Sequence, residues 1–467
     1  SYFFISYFLY TFMLNQALAY ATAHADQHLQ ELLDYVSIPS VSAQPAHARD
    51  TRYAALWLSE HLRDLGLKAD VMETGGNPVV YAEWLGKPGA PTVLIYGHYD
   101  VQPAEPLELW HSEPFKPVIR DGFIYGRGSD DNKGQHFAHI KAIESFLKGA
   151  GSLPVNVKFL IEGEEEIGGP HLPIFVEKNA DLLACDVVMI SDSAMINPTL
   201  PAIVYGLRGL VYFEVEARTA SGDLHSGTYG GNVQNPAMAL AQILAQLKDD
   251  HGRITVPGFL DDVRVLSAEE RAEMARVPYR DAEILKETGA SQVFGDPDFI
   301  VAERMGARPT LEVNGIWGGY TGPGQKTVLP ALAHAKISCR LVPNQNPDKI
   351  YAQVKARMEQ LAPPGVTLTF SLAPGSAAGT IVDRTAPEFM AAVRAARATW
   401  GAEPIFMLEG GSIPVVNDFQ SALKKPVVLL GYGLPGDNIH APNERFALDC
   451  FRKGIEASAR FLVELAK

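Results

Sequence analysis

Four short apolar runs in this chain each deliver a histidine or a carboxylate at their far end, and this pattern constrains the fold more than any other. Thr92–Tyr96 (TVLIY) leads into Gly97-His98-Tyr99-Asp100, and Val155–Ile161 (VNVKFLI) leads into Glu162-Gly163-Glu164-Glu165-Glu166. Asp186–Ile190 (DVVMI) runs into Ser191-Asp192-Ser193, and Pro426–Leu430 (PVVLL) into Gly431 and then Asp437-Asn438-Ile439-His440. Runs this short, bounded by Gly, Pro or Asp, read as buried strands, as does Val79–Glu83; together they predict a largely parallel sheet. Helices between them, such as Asp50–Leu65 with Gly66 as its stop and Lys133–Lys148, make the domain α/β. Ligands of such sheets bind beyond the carboxyl ends of the strands, so four exits bearing His, Glu, Asp and His converge on one crevice.

A second rhythm starts near Gly206. Gly209–Thr219 alternates like a half-exposed strand, Asn235–Leu247 and Pro347–Leu361 have helical spacing, and Thr327–Val342 and Val366–Leu372 have strand pattern. This order predicts a small α+β sandwich inserted into the first domain, whose pattern resumes with a helix over Ala386–Trp400. The expected division is a catalytic domain over 13–206 and 381–467, interrupted by an insert over 207–380. A length of 467 residues suits two or three domains of about 150 residues. Charged pieces within Arg253–Gln325, such as Ala268–Arg276, fit neither rhythm.

Lys and Arg total 40 against 54 Asp and Glu, a formal charge of −14, which disfavours nucleic acid as a partner. Cys185, Cys339 and Cys450 are odd in number and lack C-x-x-C spacing, so reduced, buried thiols and a cytoplasmic setting are expected. The apolar opening Ser1–Leu14 has no basic flank for a secretory signal and falls short of the roughly 20 residues of a membrane span. Met13 is an alternative start, and no membrane association is expected.

The loop Tyr125–Gly134 (YGRGSDDNKG) adds carboxylates at the same crevice. It is not a phosphate loop: G-x-x-x-x-G-K-[ST] is absent and two acids would face the anion. Two imidazoles and three carboxylates without thiolates suit Zn²⁺, Mn²⁺ or Co²⁺. Five ligands exceed one tetrahedral zinc, so one bridging carboxylate and two ions are expected, with a water activated between them. In Glu164-Glu165-Glu166 one glutamate can bind metal while a neighbour stays free to move protons. His136 and His139, three apart on a helix, are expected to pack rather than bind metal.

Eight strings in order, YGHYDVQP (Tyr96–Pro103), WHSEPFKP (Trp110–Pro117), YGRGSDDNKG, EGEEEIG (Glu162–Gly168), LHSG (Leu224–Gly227), CRLVP (Cys339–Pro343), LEGGSIPV (Leu408–Val415) and DNIHAPNE (Asp437–Glu444), resemble the co-catalytic di-zinc metallopeptidases. That family includes aminoacylase, acetylornithine deacetylase, carboxypeptidase G and the cytosolic dipeptidases, and the likeness is closest to the carnosinase-like nonspecific dipeptidases. The resemblance implies that His98 and Asp192 hold one ion, Glu166 and His440 the other, and Asp131 bridges them. Asp100 would orient His98, and Glu165 would be the general base acting on a metal-bridged hydroxide. The insert would be a lid and homodimerisation module. His225 would stabilise the oxyanion, Arg340 would pair with the substrate's C-terminal carboxylate, and Thr327 and Ser412 would add polar contacts.

Two departures stand out: Asn132 occupies a position where many dipeptidases carry an acid, and Pro374–Ala378 lacks a hinge histidine found in some relatives. The expected activity is metal-dependent hydrolysis of dipeptides or short peptides. An N-acyl-amino-acid deacylase and a non-catalytic metal-binding dimer are the alternatives.

Overall fold

A computed structural model describes residues 2–411 and 413–467. The chain divides into two compact units: Ser1–Tyr205 with Val382–Met407 and Pro414–Lys467, and Gly206–Ile381 with Leu408–Ile413.

The first unit is built on a mixed sheet whose strands run in the order Lys68–Met72, Val79–Trp84, Asn156–Glu162, Thr92–His98, Val187–Ile190, Val427–Leu429 and Ala202–Leu207. Thr92–His98 pairs in parallel with Asn156–Glu162 and with Val187–Ile190, which in turn pairs in parallel with Val427–Leu429. Register places His98 opposite Glu162 and Tyr96 opposite Ile190, so the carboxyl ends of these strands share one edge. Asn156–Glu162 and Val187–Ile190 are buried at every residue, which is why their sequences show no polar alternation. Val79–Trp84 runs antiparallel to its neighbours and lies outside the parallel centre.

Behind this edge runs the helix Lys133–Ser145, buried at all 13 positions. A helix with no wet face must satisfy its polar groups internally. Lys133 Nζ donates to the carbonyls of Tyr35 and Ile38, at 3.2 and 2.7 Å. His136 lies 3.2 Å from the Tyr35 hydroxyl, and His139 Nε2 is 2.8 Å from Ser191 Oγ. Lys141 Nζ, also buried, donates to Glu31, to His61 Nε2 at 2.9 Å and to Glu144 at 2.7 Å. The apolar opening forms a helix, Tyr2–Ala23, that packs on the turn Phe146–Ala150 and on the helix Leu448–Leu465. No helix among the described residues is long and apolar enough to cross a membrane.

In the second unit an antiparallel sheet runs in the order Thr310–Gly318, Leu332–Leu341, Gly209–Arg218 and Thr367–Leu372. Gly209–Arg218 and Leu332–Leu341 alternate buried and half-buried residues, so one face forms a core. The helices Pro236–Ala245 and Pro347–Leu361 cover it with Leu240, Ile243, Ile350, Val354 and Met358 against Val211, Phe213, Val215 and Ile337. Each such side chain contributes about 1.5–3 kcal/mol relative to exposure. Both helices begin at an asparagine cap followed by proline: Asn235 accepts from Ala237 and Met238, and Asn346 from Lys349. Cys185, Cys339 and Cys450 are buried and unbridged.

Candidate metal centre

His98 closes its strand with its ring wholly buried. Its Nδ1 lies 3.0 Å from the main-chain carbonyl of Asp100. A carbonyl only accepts, so the proton sits on Nδ1 and the Nε2 lone pair faces the crevice. Nε2 stands 3.1 Å from Asp131 Oδ1 and 3.9 Å from Asp192 Oδ2, yet makes no hydrogen bond. An imidazole lone pair set against carboxylates calls for a cation between them.

Asp131 arrives on the loop that precedes the buried helix. Gly128, at φ 83°, makes the turn, and a Cβ there would come within 2.4 Å of Val101 Cγ1. While Asp131 Oδ1 faces His98, its Oδ2 lies 3.0 Å from His440 Nε2, which is also 3.1 Å from Glu166 Oε2. Ligand atoms of His98, Asp131 and Asp192 fall within 4.8 Å of one another, as do those of Asp131, Glu166 and His440. Two triads thus share one carboxylate.

The electrostatics match. Burial alone would raise the Asp131 carboxyl, but the hydrogen bond from His440 and the His98 imidazole beside it hold it well below the usual carboxylate range. Burial and the charge of Asp131 push Asp192 up, and hydrogen bonds to Asp131 and Glu166 raise His440 to about 10. The donor set is all nitrogen and oxygen with surplus negative charge, and it fits a pair of borderline divalent cations.

The acidic triplet is divided among three tasks. Glu164 accepts from the Asn77 amide at 3.1 Å and lies 2.8 Å from His171 Nδ1. Glu166 joins the cluster, and Gln102 Nε2 donates to it at 2.8 Å. No hydrogen bond from the described residues engages the Glu165 carboxylate, and burial raises it to about 8. The Asp100 carboxylate accepts the amides of Glu165 and Glu166, at 3.2 and 3.1 Å, and the Ser42 hydroxyl at 2.6 Å. It lies 3.5 Å from His98 Nδ1, farther than the residue's own carbonyl.

A model of peptidase family M20/M25/M40 matches residues 94–464, most of the chain. The chain belongs to this family. Among the relatives of this M20 peptidase, the human Beta-Ala-His dipeptidase is 34% identical over 97% of this chain and 93% of its own. The Cys-Gly metallodipeptidase DUG1 of Saccharomyces cerevisiae is 32% identical over 93% of this chain and 95% of its own. Among solved structures, the M20 family metallo-carboxypeptidase Sso-CP2 of Sulfolobus solfataricus superposes with a TM-score of 0.83 at 35% identity, covering 94% of this chain and 99% of its own.

The M20 peptidase carries the other expected substrate contacts in its second unit. His225 caps the short helix Ser226–Tyr229, its Nδ1 accepting the amides of Gly227 and Thr228 at 3.1 and 3.2 Å, which leaves the ring proton on exposed Nε2. Thr327 lies across from it, its carbonyl accepting the Ser226 amide at 3.1 Å. Arg340 is half-buried on Leu332–Leu341, between Leu210 and Thr310. Ser412 lies outside the described residues.

Asn132 resolves one departure. Its Nδ2 donates to Asp192 Oδ1 at 2.8 Å and to the Ser191 carbonyl at 2.7 Å, and its Oδ1 accepts the His98 amide at 3.3 Å. A carboxylate could not donate to Asp192, so the amide serves better here. Sequence reasoning gave no role to Gln102 or Ser42. Gln102 lies inside the YGHYDVQP string, but only coordinates bring Ser42 to Asp100.

Proposed function

We propose that this M20 peptidase is a metal-dependent hydrolase of dipeptides and short peptides with a free C-terminal carboxylate. Asp131 carries the reading, because each of its oxygens faces a different imidazole at 3.0–3.1 Å. His98 and Asp192 would hold one ion and Glu166 and His440 the other, with zinc first in expectation and manganese or cobalt next. A pair of ions held there would supply Lewis acidity for the scissile carbonyl and would lower the pKa of a bound water towards about 7.

Glu165, with no hydrogen-bonded partner among the described residues, takes the proton of the attacking water and hands it to the leaving amine. Asp100 holds the Glu165 and Glu166 amides in place. His225 offers its Nε2 proton to the oxyanion, and Arg340 pairs with the C-terminal carboxylate as a planar two-point donor. Thr327 and Ser412 supply further polar contacts. The residues 206–381 unit acts as lid and homodimerisation module, with His225 serving the partner's site. A cytoplasmic setting accords with three buried, unbridged cysteines. The names of the human and yeast relatives favour dipeptides over N-acyl-amino acids.

The test is a panel of dipeptides and N-acetyl-amino acids, assayed with and without chelator. Dipeptide cleavage that chelation abolishes and Glu165→Gln lowers by at least about 100-fold is expected. Cleavage indifferent to both would overturn the reading, and faster turnover of acetylated substrates would transfer it to a deacylase. Mixing His225→Ala with Glu165→Gln protein should restore part of the activity if sites are shared between subunits.

A further inference from the structure

The carboxylate of Glu444 accepts four donors from one loop. Oε1 takes the amides of Asp130 and Asp131, each at 3.1 Å, and Oε2 takes the Gly128 amide at 2.9 Å and Arg127 Nη1 at 2.7 Å. Both Glu444 and Arg127 are buried. The glutamate lies four residues after His440, on a tight turn. There Asn438, His440 and Asn443 all have positive φ, and the Ala441 and Arg445 amides bond back to Asn438 and Asp437. Asn443 fastens the turn to the Trp110 region, accepting the His111 amide at 2.8 Å and donating to Leu109 O at 2.9 Å.

One rigid turn therefore reaches Asp131 twice, through its side chain by His440 and through its amide by Glu444. A carboxylate that must serve two ions needs its backbone fixed relative to both imidazoles, and the amide grip does this for the half of the site that His440 occupies. We propose that Glu444 is a positioning residue for the metal centre, setting Asp131 so that its two oxygens face His98 and His440. Arg127 holds the far side of the same carboxylate, with its guanidinium 5.5 Å from the Trp110 ring centre and bonded to Pro103 O at 3.2 Å. Its task is to keep the buried charge compensated rather than to aim Asp131. This inference rests on the two-ion reading above.

The experiment measures zinc binding by the metal-stripped full chain in competition with a chromophoric chelator, alongside the absorption spectrum of the cobalt form and thermal melting. Glu444→Gln places an NH₂ group against donors. Glu444→Asp keeps the charge but withdraws it from the amides, and serves if the glutamine variant does not fold. Both should bind zinc about 10- to 100-fold more weakly than wild type, with an altered cobalt spectrum, whereas Arg127→Met should weaken binding by less than about threefold while lowering the melting temperature as much. Wild-type zinc affinity in the Glu444 variants, or an equal loss in Arg127→Met, would overturn the role of Glu444. Wild-type protein that binds no zinc, cobalt or manganese would instead bring down the two-ion reading, and this inference with it.

Discussion

Asp100→Asn isolates the support beneath the candidate base. In the wild type one carboxylate oxygen accepts the Ser42 hydroxyl and the Glu166 amide, at 2.6 and 3.1 Å, and the other accepts the Glu165 amide at 3.2 Å. Asparagine can place its single oxygen towards Ser42 and Glu166, but its NH₂ then faces the Glu165 N–H, donor against donor. One charge-assisted hydrogen bond is lost, worth about 1.5–3 kcal/mol. If that support is used in the transition state, kcat/KM falls by roughly 10- to 150-fold, mostly in kcat, because Glu165 moves the proton rather than binding substrate. Steady-state kinetics on the best dipeptide, with metal content held at the wild-type ratio, gives the number. A kcat within about threefold of wild type would refute the idea that Asp100 positions Glu165. A fall confined to metal content would reassign Asp100 to ion retention.

Three further outcomes are expected. Gly128→Ala, which would put a Cβ 2.4 Å from Val101 at a positive φ, should cost about 1–3 kcal/mol in urea unfolding and reduce zinc affinity; unchanged unfolding would contradict the tight loop. Lys141→Met removes the ammonium shared by Glu31, His61 and Glu144, and should destabilise by about 3 kcal/mol because Glu144 stays buried with only His28 and the Tyr20 hydroxyl beside it. A variant as stable as wild type would show that the network is dispensable. Burial, followed by the Lys141 charge, lowers His61 to about 4, whereas an unfolded histidine titrates near 6.5. The unfolded chain therefore binds more protons between these values, so this contribution is complete above about pH 6.5 and is lost as pH falls towards 4, up to about 1–3 kcal/mol. His61→Phe, which keeps the stack on Trp57, should flatten that part of the urea midpoint profile, and an unaltered profile would exclude His61 as its source.

Much of the site was legible because its chemistry is written at strand exits. Thr92–His98, Asn156–Glu162 and Val187–Ile190 are buried on both faces, so their sequences are apolar runs with abrupt polar ends. The helix Pro347–Leu361 was readable to the residue because proline and an asparagine cap start it and a regular apolar stripe continues it. The strand Thr310–Gly318 was not readable. It lies at the edge of its sheet with Leu311 its only fully buried residue and a bulge between Val313 and Gly315, so alternation never develops. Glu444 was visible as part of a string, but nothing local reveals an acid whose partners lie more than 300 residues earlier.

That long reach has a consequence during synthesis. His440 meets Asp131 across 309 positions of chain, and the turn that brings it is made long after the loop that carries Asp131. A nascent polypeptide can lay down the strands of the central sheet and still lack the imidazole of the second candidate triad. A chain broken off before that turn therefore has one candidate triad and not two, and on the reading proposed above it is expected to stay inert towards peptides.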